Sequence, residues 1–404
     1  MKNLFFLILL GVITITSCKD ETQTEQPEPV DTTLEGEITE NKTLTSDEIW
    51  KISGRVVVTE GVTLTIEPGT IIKSDAGTGS NASVLIIARG GKLNANGTAT
   101  NPIIMTSTSD NIELGETQGT NLTENDRGLW GGLIILGKAP GSFESNGTEI
   151  QIEGIPASDT NGLYGGTIAD DNSGTITYVS IRHGGTELSP DNEINGLTLG
   201  CVGSGTTINH IEIVGNLDDG IEFFGGTVNV SDLLVWAQVD DGLDVDQGYS
   251  GTISNSMVIL GSDSDHALEI DGPEGDAIGQ FTLNNITIIG NLETSKGEYA
   301  DFRSHAMGTI NNVFAKGFKD DSDVELDNDG VATNYNNGDL VFGIWEIVLP
   351  SAVANVSDIF INKADNVVVT GFGDNATSVT DGAETVGADV SDFTWTFAHA
   401  NAAF

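Results

Sequence analysis

Acidic residues recur at similar intervals in the middle of the chain, and each lies between apolar neighbours. They are Glu222, Asp244, Glu269, Asp301 and Glu325. Successive side chains of a strand point to opposite faces, so apolar residues on both sides of an acid predict a buried flank and an outward carboxylate. Two residues further on, the same face carries Asp246, Asp271, Arg303 and Asp327. The pattern predicts a wall of carboxylates on one face of stacked strands.

Stacked carboxylates repel one another. If neighbouring repeats align, the carboxylates lie about 4.8 Å apart, which gives roughly 0.9 kcal/mol of repulsion per pair in water. Oxygen ligands gathered from adjacent strands suit Ca²⁺. We therefore predict a Ca²⁺ site, with a solvated acidic face that maintains solubility as the alternative. The predicted ligands are Glu222, Asp244, Asp246, Glu269, Asp271, Asp301, Glu325 and Asp327.

A second polar position also recurs once per repeat. It is occupied by His210, Asp232, Asn255, Asn285 and Asn312. Asn and Asp tolerate left-handed backbone conformations and bond to neighbouring peptide groups, so stacked residues of this type indicate tight turns. We assign this column a structural role.

The spacing of these positions predicts the fold class. Six segments share an apolar residue followed two positions later by this polar column, and their first residues are separated by 32, 22, 23, 30 and 27 residues. The rest of the sequence shows short alternating β-rich runs bounded by Gly, Asn and Asp, with little helical periodicity. A repeat of this length with several short strands is typical of an all-β solenoid.

Several motifs add a family resemblance. The run from Gly61 to Thr70, followed by Gly91 to Thr98, resembles the opening coils of right-handed parallel β-helix proteins, and the Gly-rich motifs from Trp130 onward are similar to a family of β-helical outer-membrane lipoproteins without assigned chemistry. This resemblance implies a single-stranded, pectate-lyase-like solenoid of about eleven coils. We expect the β-helix at 44–330 and a final coil or cap at 331–404, with a late amphipathic strand at 392–397.

Arg303 is the one cation in the aligned strand columns, between Asp271 and Asp327. In pectate-type lyases an Arg facing Ca²⁺-binding acids removes a proton beside a uronate carboxylate, and this constellation resembles that arrangement in residue type. The pKa of an Arg lies above about 12, so a salt bridge between two acids explains the residue more simply. The salt bridge is our prediction, and catalysis by Arg303 is the alternative.

The N-terminus predicts export and lipidation. Lys2 precedes a short apolar run, and small residues stand directly before Cys18. This resembles a bacterial lipoprotein signal peptide at 1–17, with Cys18 as the lipidated residue. Lys19, Asp20 and Glu21 resemble a signal that directs lipoproteins to the cell surface. Residues 18–43 predict a disordered acidic tether, since they are rich in Thr, Glu, Gln and Pro.

The composition limits the possible partners. Sixteen Lys and Arg residues stand against 60 Asp and Glu residues, a formal net charge of −44. Such a charge repels phosphate backbones and anionic headgroups, so nucleic-acid binding is excluded. Cys201 lies in an apolar run and is expected to be buried and inert. We expect a lipid-anchored surface protein that binds Ca²⁺ and an extracellular polysaccharide as an adhesive scaffold, with a Ca²⁺-dependent lyase or a glycosidase as the alternative.

Overall fold

The computed structural model describes residues 31–153, 155, 158–187 and 193–404, and short strands dominate this part of the chain. Twenty-five strands form one sheet, and its neighbouring strands run parallel. Two further strands form an antiparallel hairpin. The predicted all-β parallel β-helix is confirmed, while the hand of the coil and the number of about eleven coils stay predictions.

The first nine strands build the N-terminal part of the sheet. They are β1 Thr33–Ile38, β2 Lys42–Leu44, β3 Ile49–Val58, β4 Thr63–Ile66, β5 Ile71–Ser74, β6 Val84–Ile87, β7 Lys92–Asn96, β8 Ile103–Ser107 and β9 Leu133–Leu136. The sheet thus begins within the segment that the sequence assigned to the tether, before the predicted boundary at residue 44. Leu34 explains the difference, because it is almost fully buried in the apolar core and draws β1 onto β3.

The middle of the chain contains the acidic strands. Its elements are the hairpin β10 Ile150–Gln151 and β11 Leu163–Tyr164, followed by β12 Gly174–Arg182, β13 Leu197–Gly200, β14 Thr207–Val214, β15 Ile221–Phe224, β16 Val230–Trp236, β17 Leu243–Asp246, β18 Thr252–Ile259, β19 His266–Ile270, β20 Phe281–Ile289, β21 Glu298–Phe302, β22 Gly308–Lys316 and β23 Val324–Leu326. From β12 to β22 each even-numbered strand pairs with the next even-numbered strand, and from β13 to β23 each odd-numbered strand pairs with the next odd-numbered strand. Each repeat therefore contributes one strand to each ladder, as the two repeated sequence patterns predict.

The C-terminal part continues the same sheet. It contains α1 Asp329–Asn337, β24 Leu340–Phe342, β25 Trp345–Ile347, β26 Phe360–Asn362, β27 Ala376–Ser378 and α2 Phe397–Ala400. Strands β24 and β25 pair with β22, and β26 pairs with β23. No helix in the described residues is long and apolar enough to cross a bilayer.

The predicted strand at 392–397 is wrong. A 3₁₀ turn occupies Val390–Phe393, and α2 follows it. Side-chain caps explain the difference: Asp389 accepts a hydrogen bond from the backbone N–H of Ser391, and Thr396 accepts one from that of His399. Such caps satisfy the first N–H groups of a helical turn, so the local pattern favours turns over an extended strand.

The core follows from the alternation of the odd-numbered strands. In register, one inward column is built of almost fully buried apolar residues, namely Leu133, Leu197, Ile221, Leu243, Leu268, Ala300, Val324 and Phe360. Burying each large apolar side chain on folding contributes about 1.5–3 kcal/mol to the stability of the folded state. The same alternation sends the acids between these residues to the opposite side of each strand.

The second polar column lies at a backbone bend. Its residues have positive φ, together with Tyr178 one repeat earlier; the angles are 51° at Tyr178, 53° at His210, 59° at Asp232, 47° at Asn255, 58° at Asn285 and 57° at Asn312. The predicted left-handed conformation is confirmed, but each residue lies within an even-numbered strand and not in a turn between strands. We name these six residues the turn column.

Residues 384–404 form a strap that crosses the even-numbered strands. The backbone N–H of Ala388 donates to Thr287 Oγ1 at 2.9 Å, and that of Ala398 donates to buried Glu212 at 2.9 Å. The strap also covers an apolar patch on the outer side of the sheet that includes Leu234, Met257 and Ile259. The outer face of the even-numbered strands is therefore capped, whereas the outer face of the odd-numbered strands carries the acids.

Candidate functional site

The five acids of the sequence pattern form one column in the structure. Glu222 pairs in register with Asp244, and the pairing continues to Glu269, Asp301 and Glu325 on β19, β21 and β23. The predicted alignment of neighbouring repeats is therefore confirmed. We name these five residues the acid ladder.

A second column lies two residues further along each strand. Its members are Asp246, Asp271, Arg303, Asp327 and, one repeat later, Lys363. Backbone hydrogen bonds fix this order: Asp271 donates to Val245, Arg303 to Ile270, Asp327 to Phe302 and Lys363 to Leu326, at 2.7 to 3.0 Å. Sequence reasoning missed Lys363, because the recognisable repeat ends near residue 330.

A third column lies three residues before the acid ladder. Asp219 Oδ1 accepts a hydrogen bond from the backbone N–H of Asp241 at 3.0 Å, and Asp241 Oδ1 accepts one from that of His266 at 2.9 Å. His266 pairs in register with Glu298. The signal available in the sequence was the constant offset of three positions from each acid of the ladder.

Basic residues neutralise one end of this surface. Arg303 donates to Asp271 Oδ2 from Nε at 3.1 Å and from Nη2 at 2.7 Å, and it also contacts Glu269. Lys363 contacts Glu325 and lies 3.8 Å from Asp323. The predicted salt bridge of Arg303 thus forms with Asp271, whereas the predicted partner Asp327 accepts a hydrogen bond from Asn328 at 3.1 Å.

The other end of the surface has no such partners. Among the described residues, no basic side chain forms an ion pair with Asp219, Glu222 or Asp244. One carboxylate oxygen of each lies within 4.8 Å of the other two. Asp219 and Glu222 are only 7% and 8% exposed. These three residues, which we name the unpaired triad, therefore place up to three negative charges together with little access to water.

Two side-chain oxygen atoms at the triad have no hydrogen-bond partner. Asn195 is 3% exposed and its Nδ2 donates to Glu222 Oε2. The Oδ1 atoms of Asn195 and Asp244 have no hydrogen-bond partner in the structure. Buried polar atoms normally have a partner, so these oxygens indicate a place where a further group would be stabilised.

The electrostatics of the triad follow from burial. Burial raises the pKa of Glu222, Asp244 and Asp219 well above the usual range of a carboxyl, and the neighbouring acids raise these pKa values further. Burial also raises the pKa of Asp246 to about 7. The ionised form is therefore unfavourable unless a cation binds, so a proton and a metal ion compete for the same oxygens.

At the neutralised end of the surface, burial and neighbouring charges shift the pKa values in opposite directions. Burial raises the pKa of Asp301 to about 7, although the charges of His266 and Lys363 act in the opposite direction. Burial alone would lower the pKa of His266, but the hydrogen bond and charge of Asp241 raise it to about 9. This end of the acid ladder therefore has its own positive charges.

The comparison with protein-family models assigns the architecture. A model described as a pectate-lyase like β-helix domain matches residues 36–398. The chain belongs to this family. The match starts within β1 and ends within α2, so it includes nearly all of the described sheet. Neither the curated proteins nor the solved structures contain a significant match.

Membership of the pectate-lyase like β-helix family specifies a scaffold rather than a reaction, because one fold hosts many functions. The function must be argued from the acid ladder and its neighbours. Two surface cavities of 690 and 410 Å³ are lined by residues outside the three acidic columns. The concentrated charge of the odd-numbered strands is therefore the principal candidate site.

The remaining predicted residues are accounted for as follows. Cys18, Lys19, Asp20 and Glu21 lie outside the described residues, so lipidation and surface export stay predictions. Cys201 is fully buried and free. The expected burial is thus confirmed, and it raises the pKa of the thiol to about 12, which disfavours the reactive thiolate.

Proposed function

We propose that this β-helix is a lipid-anchored protein of the outer membrane, exposed at the cell surface, that binds Ca²⁺ at its unpaired triad and, through the ion, an acidic polysaccharide. The observation that carries the proposal is the unpaired triad of Asp219, Glu222 and Asp244. Its carboxylates lie within 4.8 Å of one another without a basic partner in the described residues.

The chemistry of the triad favours Ca²⁺ over a solvated face. A solvated face needs exposed carboxylates, whereas Asp219 and Glu222 are almost fully buried. Ca²⁺ accepts six to eight oxygen ligands at about 2.3–2.6 Å in flexible geometry, and adjacent strands supply oxygens in this way. The unsatisfied Oδ1 atom of Asp244 is available as an additional ligand oxygen.

The same chemistry supports the choice of an acidic glycan. Three or four protein oxygens leave coordination positions that water or a carboxylate of a ligand can occupy. The formal net charge of −44 repels an anionic polymer, so a bridging cation is required for contact. The ion then determines both the affinity for the polysaccharide and its dependence on Ca²⁺.

A thermal-shift experiment tests Ca²⁺ binding. Ten millimolar CaCl₂ should raise the Tm by about 2 °C. With a Kd of about one tenth of that concentration, an ion that binds only the folded state stabilises it by about 1.4 kcal/mol, and the unfolding entropy of a chain of this length is about 0.8 kcal/mol per degree. The same concentration of MgCl₂ should give a clearly smaller shift, since Mg²⁺ dehydrates reluctantly and demands stricter geometry.

The double variant Glu222→Gln/Asp244→Asn should lose the Ca²⁺ shift. Asp320→Asn/Asp321→Asn is the matched control, because it removes the same charge from an exposed loop. Equal shifts with Ca²⁺ and Mg²⁺, or an unchanged Ca²⁺ shift in the Glu222→Gln/Asp244→Asn variant, would contradict the proposal.

Membrane attachment rests on the lipoprotein pattern around Cys18. Lipidation would occur on the Cys18 thiolate, so the native protein should partition into the detergent phase, whereas Cys18→Ala should give an unprocessed or soluble product. Recovery of native protein in the aqueous phase with Met1 still at its N-terminus would contradict this part of the proposal.

A further inference from the structure

A histidine interrupts the acidic columns next to the unpaired triad. His266 Nδ1 lies 2.8 Å from Asp241 Oδ1 and 3.5 Å from Glu269 Oε2. Asp241 and Glu269 are 4% and 7% exposed, and the three ligand atoms lie within 4.8 Å of one another. Strand β19 supplies His266 and Glu269 three residues apart, and the preceding repeat supplies Asp241.

We propose that His266, Asp241 and Glu269 form a second cation site, distinct from the Ca²⁺ site, that binds a divalent transition-metal ion such as Zn²⁺. Imidazole nitrogen is a good ligand for transition metals, whereas Ca²⁺ takes oxygen ligands. One nitrogen and two carboxylates therefore differ chemically from the oxygen-only triad one repeat earlier.

The spacing of the ligand atoms suits a small ion. Zn²⁺ binds nitrogen and oxygen at about 2.0–2.2 Å, which places neighbouring ligand atoms about 3.0–3.5 Å apart. The two distances from His266 Nδ1, 2.8 and 3.5 Å, suit this spacing. Metal binding would release to solvent the proton that Nδ1 shares with Asp241 in the metal-free protein. Glu269 contacts Arg303 through Oε1 and so keeps Oε2 for the metal.

An unsatisfied carboxylate beside the site supports the assignment independently. Asp301 pairs in register with Glu269, so its side chain leaves the sheet on the same face directly beside that ligand. It is 6% exposed, and its Oδ1 atom has no hydrogen-bond partner. A buried oxygen of this kind carries a desolvation penalty that a bound cation would offset. Asp301 is thus a buried carboxylate next to the three ligands of the proposed site, and a cation bound there would stabilise its charge.

A carboxylate also lies near the other ring nitrogen of His266, beyond hydrogen-bond distance. Metal-binding histidines usually present their other ring nitrogen to a carboxylate, which fixes the orientation of the ring. Here Nε2 of His266 lies 3.9 Å from Asp265 Oδ1, and Lys296 Nζ lies 3.0 Å from Asp265 Oδ2. Asp265 therefore acts on His266 through its charge, and a hydrogen bond to Nε2 would need a small movement of either side chain.

Titration calorimetry with Zn²⁺ at pH 8, on protein purified without a histidine tag, tests the site. One Zn²⁺ should bind per chain, and Co²⁺ in its place should give a visible absorption spectrum typical of nitrogen and oxygen ligation. His266→Gln should weaken Zn²⁺ binding at least tenfold, whereas His399→Gln, an exposed histidine outside the site, should leave it unchanged. Asp265→Asn should weaken binding less than His266→Gln does, because it removes a nearby negative charge and no ligand.

Three results would overturn the proposal: Zn²⁺ binding by folded His266→Gln protein as tight as native binding, unchanged binding by Glu269→Gln, or equal displacement of Co²⁺ by Ca²⁺. If His266→Gln does not fold, Glu269→Gln decides, because it removes one ligand oxygen of the site and keeps the size of the side chain. The Glu222→Gln/Asp244→Asn variant should lose the Ca²⁺ shift and keep Zn²⁺ binding, so the two cation proposals fail separately.

Discussion

The turn column and the acid ladder each place one polar residue per repeat along this β-helix, and the two columns are stabilised in different ways. In the turn column, the Tyr178 ring stacks on His210 with centroids 4.1 Å apart. Asn255 Nδ2 donates to Asp232 Oδ1 at 2.5 Å, and the strap residue Asp389 donates its backbone N–H to Asn255 at 2.6 Å. Each contact joins groups of complementary chemistry.

The acid ladder instead places groups of the same charge side by side. Glu222 and Asp244 are register neighbours with raised pKa values and no basic partner in the described residues. Arg303 and Lys363 neutralise only the later repeats. A repeated polar residue is therefore structural where its neighbours satisfy it, and a candidate for binding where they do not.

Arg303→Ala should give the largest effect, because it makes the neutralised end of the acid ladder resemble the unpaired end. Removing one partner of a buried ion pair costs about 3–5 kcal/mol. Arg303 is partly exposed, so we expect a loss of about 2 kcal/mol in the free energy of unfolding, measured by chemical denaturation. Ca²⁺ should then stabilise the variant more than it stabilises the native protein.

The matched control is Arg303→Lys, which keeps the charge and should recover part of the loss. The same variants test the lyase alternative. A lyase would release an ultraviolet-absorbing unsaturated product from an acidic polysaccharide in the presence of Ca²⁺. Formation of that product by native protein, and its disappearance with normally folded Arg303→Ala, would contradict a structural role for Arg303.

The two columns also show what the sequence could predict. The apolar flanks of Glu222 and Asp244 predicted their outward direction and alignment, because alternation in a strand is a local rule. Arg303 forms its salt bridge with Asp271 and not with Asp327, and this preference depends on the directions of side chains in three successive repeats. The contributions of Asn195 and Lys363 depend on segments outside the recognisable repeat, so no local rule could reveal them.

The second-largest effect should be a dependence of stability on pH, which the acid ladder produces and the turn column does not. The pKa of Asp301 in the acid ladder, and that of Asp246 in the acidic column beside it, are raised to about 7 from the usual value near 4. A raised folded-state pKa stabilises the protein fully below pH 4, and this contribution is lost as the pH rises through 7. In EDTA, the Tm should therefore fall between pH 4 and pH 8.

Ca²⁺ should flatten this pH profile, because the ion stabilises the ionised carboxylates. Thermal scans of the native protein and of Glu222→Gln/Asp244→Asn, each with EDTA and with Ca²⁺, provide the measurement. A Tm that is independent of pH in EDTA would show that the raised pKa values do not describe the acid ladder.

The smallest effect is a difference in sign between single substitutions in the two columns. Asn285 has a φ of 58°, and an alanine in this conformation costs about 1–2 kcal/mol, so Asn285→Ala should be destabilising. Asn285→Gly is the matched control and should cost less, because glycine adopts positive φ readily.

Asp244→Asn, in EDTA at pH 8.5, should instead stabilise the protein by about 1 kcal/mol, because it removes repulsion from Glu222 and Glu269. Chemical denaturation measures both changes. Destabilisation by Asp244→Asn under these conditions would mean that the acid ladder, like the turn column, is satisfied by contacts within the fold, and the argument for a bound cation would lose its basis.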